Sequence, residues 1–379
     1  MTSLNEILQR HVDSGTIPGA VALVDRAGAV EVETAGVMTL GEPAAMPRDA
    51  IMRLASITKP IVAAATMTLV EDGTFALDTP VRTWLPELAS PSVVRTPESP
   101  VDDVVPLVRP ITVRDLLTFV CGYGFAERFD LPAAQPYFSE LAQGSAMTQD
   151  APPPDEWMAR LSRIPLLHQP GEAWLYNLGS DILGVLLARA AGKGLQEVLA
   201  DRVLGPVGMP DTGFEVPADH MARLPTLYRP TDDGLVVDDP PQGAWCRPVP
   251  FPSGAGGLAG TLDDWYVFAR MLLAGGRVGD RRVLSAESVR MMTTDQTTPR
   301  QRRGTDLFLE GQGWGFGGSV DIARVAPWNV PGRYGWIGGS GTAAHVVPSS
   351  GLVTILLTQV EMTGPTAPEV MRDVWAYAA

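Results

Sequence analysis

Residues 50–73 read AIMRLASITKPIVAAATMTLVEDG, and within them an apolar, strand-like run, Ile51-Met52-Arg53-Leu54-Ala55, meets Ser56 and gives way to a helical pattern. Ser56 and Lys59 stand three positions apart at the first turn of that helix, so hydroxyl and amine share one face within side-chain reach. The positive end of a helix dipole and partial burial both disfavour the charged form of a lysine placed there. The amine is pushed toward a neutral base able to activate the serine without any histidine. Val62, Ala63-Ala64-Ala65, Met67 and Leu69 continue a good helix and Gly73 ends it, which implies a buried helix at the centre of a site. Taken alone, Ser-x-x-Lys is a weak pattern. It also describes an N-capping serine followed by a solvated lysine, and the rest of the chain has to decide.

The 379 residues, 45% hydrophobic, can bury a large core and are enough for two subdomains of a soluble protein. A net charge of −14 argues against nucleic acid, since no excess of Lys and Arg is available to neutralise phosphates. No stretch reaches the length of a membrane span, and MTSLNEILQRHVDSG lacks the apolar core of a signal peptide, so the expected location is cytoplasmic. Cys121 and Cys246 could form one disulfide at most and read as free thiols. His11, His168, His220 and His345 are scattered without i, i+4 pairing, so neither a zinc site nor any other metal is expected.

The hydrophobic period changes along the chain. Residues 3–14 suit an amphipathic helix, while Gly19 to Val24 and Ala29 to Val37 read as a hairpin. A third strand before Ser56 is expected beside them in one antiparallel sheet. From Gly73 onward helical pieces alternate with proline-rich connections: a loop from Ser90 to Pro110, a helix opened by Thr112 with Asp115 three residues on, and helices over 155–163, 178–191 and 262–273. Phe125, Phe129, Tyr137 and Phe138 could wall an apolar pocket or form a satellite core. Strand text returns at Gly313–Val320, Tyr334–Thr342, Ala343–Val347 and Leu352–Gln359, and a helix from Pro368 to Tyr377 closes the chain. The reading is α+β, an antiparallel sheet built from the N- and C-terminal segments and flanked by helices, with a mostly helical insertion. Residues 1–75 with 280–379 would form one subdomain and 76–279 the other, with the site between them.

Three separated signals stand in order: Ser56-Ile57-Thr58-Lys59, then Tyr176 at the end of Pro170-Gly171-Glu172-Ala173-Trp174-Leu175-Tyr176, then Trp336-Ile337-Gly338-Gly339. Together with Ile111-Thr112-Val113-Arg114-Asp115-Leu116-Leu117 and Gly256-Gly257-Leu258-Ala259-Gly260-Thr261, they resemble the class C β-lactamase and D-alanyl-D-alanine peptidase superfamily. The likeness is greatest to its esterase branch, the family VIII carboxylesterases, and covers nearly the whole chain. The resemblance implies a β-lactamase/transpeptidase-like fold, with Ser56 as acyl-forming nucleophile, Lys59 as its partner and Tyr176 as the phenol that shuttles a proton to the leaving group. It also implies an oxyanion hole from the backbone N–H groups of Ser56 and Gly339, and no cofactor. Near a cationic lysine, Tyr176 is expected to have a depressed pKa. Trp336, Gly338 and Tyr123 are assigned to substrate binding.

The departures from the family pattern carry information. β-Lactamases of the superfamily have Tyr-x-Asn, but here Leu178 stands two after Tyr176 and Asn177 comes one place early. Their third motif opens with a cation that can pair with a substrate carboxylate. Here it opens with Trp336, whose indole offers an apolar face and one N–H, favouring neutral esters. Phe119 and Cys121 replace a histidine and a small residue of another family motif and are read as packing. A small-molecule ester is therefore the expected partner, with neither nucleic acid nor membrane. Acyl transfer from the same acyl-enzyme stays open as an alternative, as does β-lactamase or peptidase activity. A Ser-His-Asp hydrolase is disfavoured by the lack of a G-x-S-x-G elbow, and a non-catalytic binding module by the presence of Ser56, Lys59 and Tyr176 together.

Overall fold

The computed structural model describes residues 2–144 and 150–379. Its main sheet has seven strands in the order Gly313–Trp314, Ser319–Val320, Tyr334–Gly338, Thr342–Val347, Leu352–Thr358, Gly19–Arg26 and Ala29–Gly36. Every neighbouring pair is antiparallel. The N-terminal hairpin thus completes a sheet begun by the C-terminal third of the chain, with Ala20 opposite Thr358 and Arg26 opposite Leu352. Gly19–Asp25 is buried on both faces, as an interior strand must be, whereas Ala29–Gly36 lies at the edge and is mostly half-buried or exposed.

Alternation along the strands divides the core in two. Ala20, Ala22 and Val24 pack under the helices Leu4–Asp13 and Glu369–Ala378, while Val21 and Leu23 face the larger core that contains the helix Lys59–Glu71. The first helix begins with a capping box in which Ser3 and Glu6 satisfy each other's backbone N–H groups. Thr112 and Asp115 make the same arrangement ahead of Val113–Leu117. The α+β class, with its sheet drawn from both ends of the chain and a mostly helical stretch between, is therefore the observed one.

The Lys59–Glu71 helix is buried without interruption from Lys59 to Leu69, and its Ala63-Ala64-Ala65 run lets neighbouring elements come close. The strand expected just before Ser56 does not join the main sheet. Met52–Arg53 pairs instead with Ala259–Gly260 as a separate two-stranded ladder. What holds it there is long-range: the buried Arg53 guanidinium binds the Asp239 carboxylate and donates to the Pro225 carbonyl at 2.7 Å, and Leu54 N–H donates to Leu258 O at 2.8 Å. The main sheet's hydrogen bonds to this segment among the described residues come from side chains, Ser340 and Thr342 donating to the carbonyls of Arg53 and Leu54. The proline-rich excursion over 90–110 carries a small hairpin, Val93–Val94 with Val104–Val105, whose first strand is buried.

Candidate active site

Ser56 lies in a 3-10 turn, Ala55–Thr58, that runs directly into the Lys59–Glu71 helix. Ala55 takes a left-handed conformation, φ 46°, unusual for a residue with a side chain, and this sharp entry presents Ser56 to a cavity. Lys59 Nζ stands 2.7 Å from Ser56 Oγ, as the i, i+3 spacing requires, and 2.6 Å from the carbonyl oxygen of Ala255. The lysine is 1% exposed. Burial lowers its pKa to about 7, partly offset by the negative charge of Asp181, so a neutral amine is available near pH 7.

Tyr176 arrives from a segment 120 residues further along the chain, and its hydroxyl donates to Ser56 Oγ at 2.9 Å. Two backbone hydrogen bonds with Phe125 hold the segment, which approaches so closely that a Cβ on Gly124 would stand 2.7 Å from Tyr176 O. The ring stacks on Phe308 with centroids 4.8 Å apart, and Trp336 Nε1 donates to the phenol oxygen at 2.7 Å. The expected depression of the Tyr176 pKa is not found. Burial pushes it up to about 12, and the hydrogen bonds with Ser56 and Trp336 offset that only in part. Lys59 Nζ sits over the ring, 4.8 Å from its centroid, and burial of the phenol still decides the direction of the shift.

Gly339 lines the same cavity as Ser56, and its carbonyl accepts from Met362 N–H at 2.7 Å. A Cβ added to Gly339 would meet nothing within 4 Å, whereas one on Gly338 would lie 2.2 Å from Thr342 Oγ1 and 2.5 Å from Leu54 O. Gly338 is therefore a packing glycine that lets the Tyr334–Gly338 strand close on the nucleophile turn, and it does not line the cavity. Tyr123 does not line it either: its side chain is fully buried and its hydroxyl donates to Ile164 O at 3.2 Å. The chain turns through Gly122 and Gly124, both at positive φ, so it is Phe125 that faces the cavity. Phe119 stacks on Trp314 and the Cys121 thiol is buried, both as packing; the two cysteines are free. His345 is buried against Trp375 on the sheet face opposite Trp336.

The cavity has a volume of about 330 Å³ and is walled by Phe125, Phe129, Phe138, Phe251 and Phe308. Three of the four aromatics singled out in the sequence thus form a wall, and Tyr137 stands behind Phe125. Several site groups carry no motif. Ala255 acts through its carbonyl, which no sequence pattern announces. Asp181 accepts from Ser253 Oγ at 2.6 Å, Ala255 N at 3.1 Å and Gln143 Nε2 at 3.1 Å, and burial raises its pKa. Its one signal was being a lone acid in the apolar run Leu178–Leu187. Asn177, with φ 84°, donates to Gln143 Oε1 at 2.7 Å and lines the cavity. Among the described residues no group of three or more His, Cys, Asp or Glu is placed to hold a metal ion, and no helix is long and apolar enough to cross a membrane.

An antiparallel sheet with flanking helices, carrying a serine hydrogen-bonded to both a lysine and a tyrosine, defines a serine hydrolase of β-lactamase/transpeptidase-like fold. The chain belongs to the Beta-lactamase family, whose model matches residues 4–378. It is 38% identical over 356 residues to Protein Rv1367c of Mycobacterium tuberculosis, covering 92% of this chain and 87% of that one. It is 31% identical over 389 residues to esterase EstB of Burkholderia gladioli, covering 96% and 92%. Among solved structures it superposes on EstCE1, described as a hydrolase with promiscuous acyltransferase activity, with a TM-score of 0.82 and 25% identity over 98% of this chain and 97% of that one.

Proposed function

We propose that this chain is a carboxylesterase that hydrolyses small neutral esters through an acyl-enzyme on Ser56. The observation that carries the reading is the placing of Ser56 Oγ between Lys59 Nζ at 2.7 Å and the Tyr176 hydroxyl at 2.9 Å. Neutral Lys59 takes the serine proton as Oγ bonds to the ester carbonyl. The oxyanion that forms is held by the backbone N–H groups of Ser56 and Gly339. Tyr176, whose raised pKa keeps its proton on, donates that proton to the departing alkoxide, and the Lys59 ammonium restores the phenol. Water then releases the acid by the reverse sequence.

The aromatic walls and the indole of Trp336, in the place of a cation, support neutral acyl donors. Resemblance to EstB supports ester substrates, and the cytoplasm is the setting the reading assumes. Neither nucleic acid nor a membrane takes part. Acyl transfer to an alcohol is the second reading, favoured by what EstCE1 is described as doing. β-Lactamase or peptidase activity ranks behind both, because Trp336 and Leu178 replace polar groups of those sites.

The test is hydrolysis of a short-chain p-nitrophenyl ester beside a chromogenic cephalosporin, by the wild type and by Ser56→Ala. Fast ester turnover that the substitution abolishes, with little ring opening, supports the esterase. Near-normal activity in Ser56→Ala overturns the acyl-enzyme, and equal or faster cephalosporin turnover puts the β-lactamase reading first.

A further inference from the structure

We propose that Glu361 is a charge filter at the catalytic cavity, selecting against esters that carry a carboxylate and in favour of neutral or cationic ones. The proposal rests on the esterase reading and names the substrate class of that same site.

Glu361 lines the cavity together with Ser56 and Gly339. Its backbone is fixed on two sides. Glu361 N–H donates to Tyr228 O at 2.8 Å, Tyr228 N–H donates to Gln359 O at 2.9 Å, and the next residue, Met362, donates to the carbonyl of Gly339 at 2.7 Å. The carboxyl is thus tethered one residue from a direct contact with the glycine whose N–H would bind the oxyanion. Of the described residues lining the cavity, the charged ones are Asp181 and Glu361, both acids. Asp181 is 1% exposed and occupied by Ser253, Ala255 and Gln143, so Glu361 is the half-buried charge that an entering substrate meets.

The groups facing Glu361 belong to the hairpin Leu227–Thr231 with Gly234–Asp239. Asp238 adds negative charge, and the one cation there, Arg229, is drawn to Asp238 at 3.6 Å. Burial first, and then Asp238, raise the Glu361 pKa to about 7, with Arg229 opposing. Low-dielectric aromatic walls concentrate the field of such a carboxylate, and the net charge of −14 on the whole chain acts in the same direction. An anionic ester would have to approach with no cation in the lining to receive its carboxylate. This differs from what Trp336 does: the indole withholds a binding partner, whereas Glu361 repels.

Two matched comparisons, one on each side of the scissile bond, test the filter. On the acyl side, p-nitrophenyl valerate is compared with mono-p-nitrophenyl glutarate. On the leaving-group side, acetylthiocholine, its uncharged isostere 3,3-dimethylbutyl thioacetate and S-acetyl-3-mercaptopropionate are compared by thiol release. The readout is the ratio of kcat/KM for charged over neutral substrate within each enzyme. Glu361→Gln is expected to raise the anionic ratio in at least one set by about five-fold, the scale of one unit charge acting across a partly hydrated cleft, and to lower the cationic ratio. In the wild type the discrimination against anions should grow from about pH 6 to about pH 8 as the carboxyl ionises, and this readout needs no variant. The titration of Lys59 acts on every substrate and cancels in the ratio. Ratios that depend on Ser56 but move by less than about two-fold, between enzymes and across pH, overturn the filter and leave the esterase standing. Turnover that survives Ser56→Ala overturns both.

Discussion

The indole nitrogen of Trp336 donates to the phenol oxygen of Tyr176 at 2.7 Å, and that phenol in turn donates to Ser56 Oγ at 2.9 Å. A tyrosine hydroxyl has one proton. With its oxygen already accepting from the indole, that proton is directed at the serine. Removing the donor while keeping the ring should loosen this aim. Trp336→Phe is expected to lower kcat/KM on a neutral p-nitrophenyl ester by about five- to ten-fold, the worth of one neutral hydrogen bond, with the thermal midpoint little changed. Trp336→Lys should shift preference toward esters bearing a carboxylate. Unchanged rates in the first variant and unchanged relative rates in the second would reduce the indole to packing.

The Lys59 pKa of about 7 sets the pH dependence. The neutral amine is the base, so kcat/KM on a neutral ester should fall as pH drops below about 7, by up to ten-fold per unit, and level off above it. A lysine with its ordinary pKa of about 10.4 would instead give a rise that continues toward that value. A profile from about pH 5 to about pH 9 decides between them. Glu361 titrates nearby but carries no charge interaction with a neutral ester, and a profile unchanged in Glu361→Gln would assign the limb to Lys59.

The two adjacent glycines should respond differently to the same change. Gly338→Ala drives a methyl to 2.2 Å from Thr342 Oγ1 and 2.5 Å from the Leu54 carbonyl, part of it rigid backbone. It should destabilise the fold by about 1–3 kcal/mol and disturb the nucleophile turn. Gly339→Ala meets nothing within 4 Å, so stability should hold while the methyl projects into open space. Urea denaturation of both variants checks this, and equal losses would refute the distinction.

What could be read from the sequence was what depends on neighbours along the chain. Three positions of helix bring a serine and a lysine to one face wherever that helix lies, and the 2.7 Å contact between Ser56 and Lys59 follows. Capping boxes at Ser3 and Thr112 are equally local, and the alternation of strand residues placed both ends of the chain in one sheet. Tyr176 and Trp336 were found by family pattern, although 120 and 160 residues separate the partners in their hydrogen bonds.

Tertiary structure alone decided the rest, because burial and long-range convergence leave no local trace. The strand before Ser56 pairs with Ala259–Gly260, and the buried Arg53 within it meets its counter-charge on Asp239, 186 residues away. Tyr123, assigned to substrate binding by family resemblance, turned inward where Gly122 and Gly124 reverse the backbone. The phenol of Tyr176 rose in pKa instead of falling because its burial outweighs the hydrogen bonds with Ser56 and Trp336. The backbone carbonyl that holds Lys59 belongs to Ala255, 196 residues distant, and has no side-chain chemistry to announce it. The sequence determined which groups could react, and the packing of distant segments around them decided which carry a proton at neutral pH and what may enter beside them.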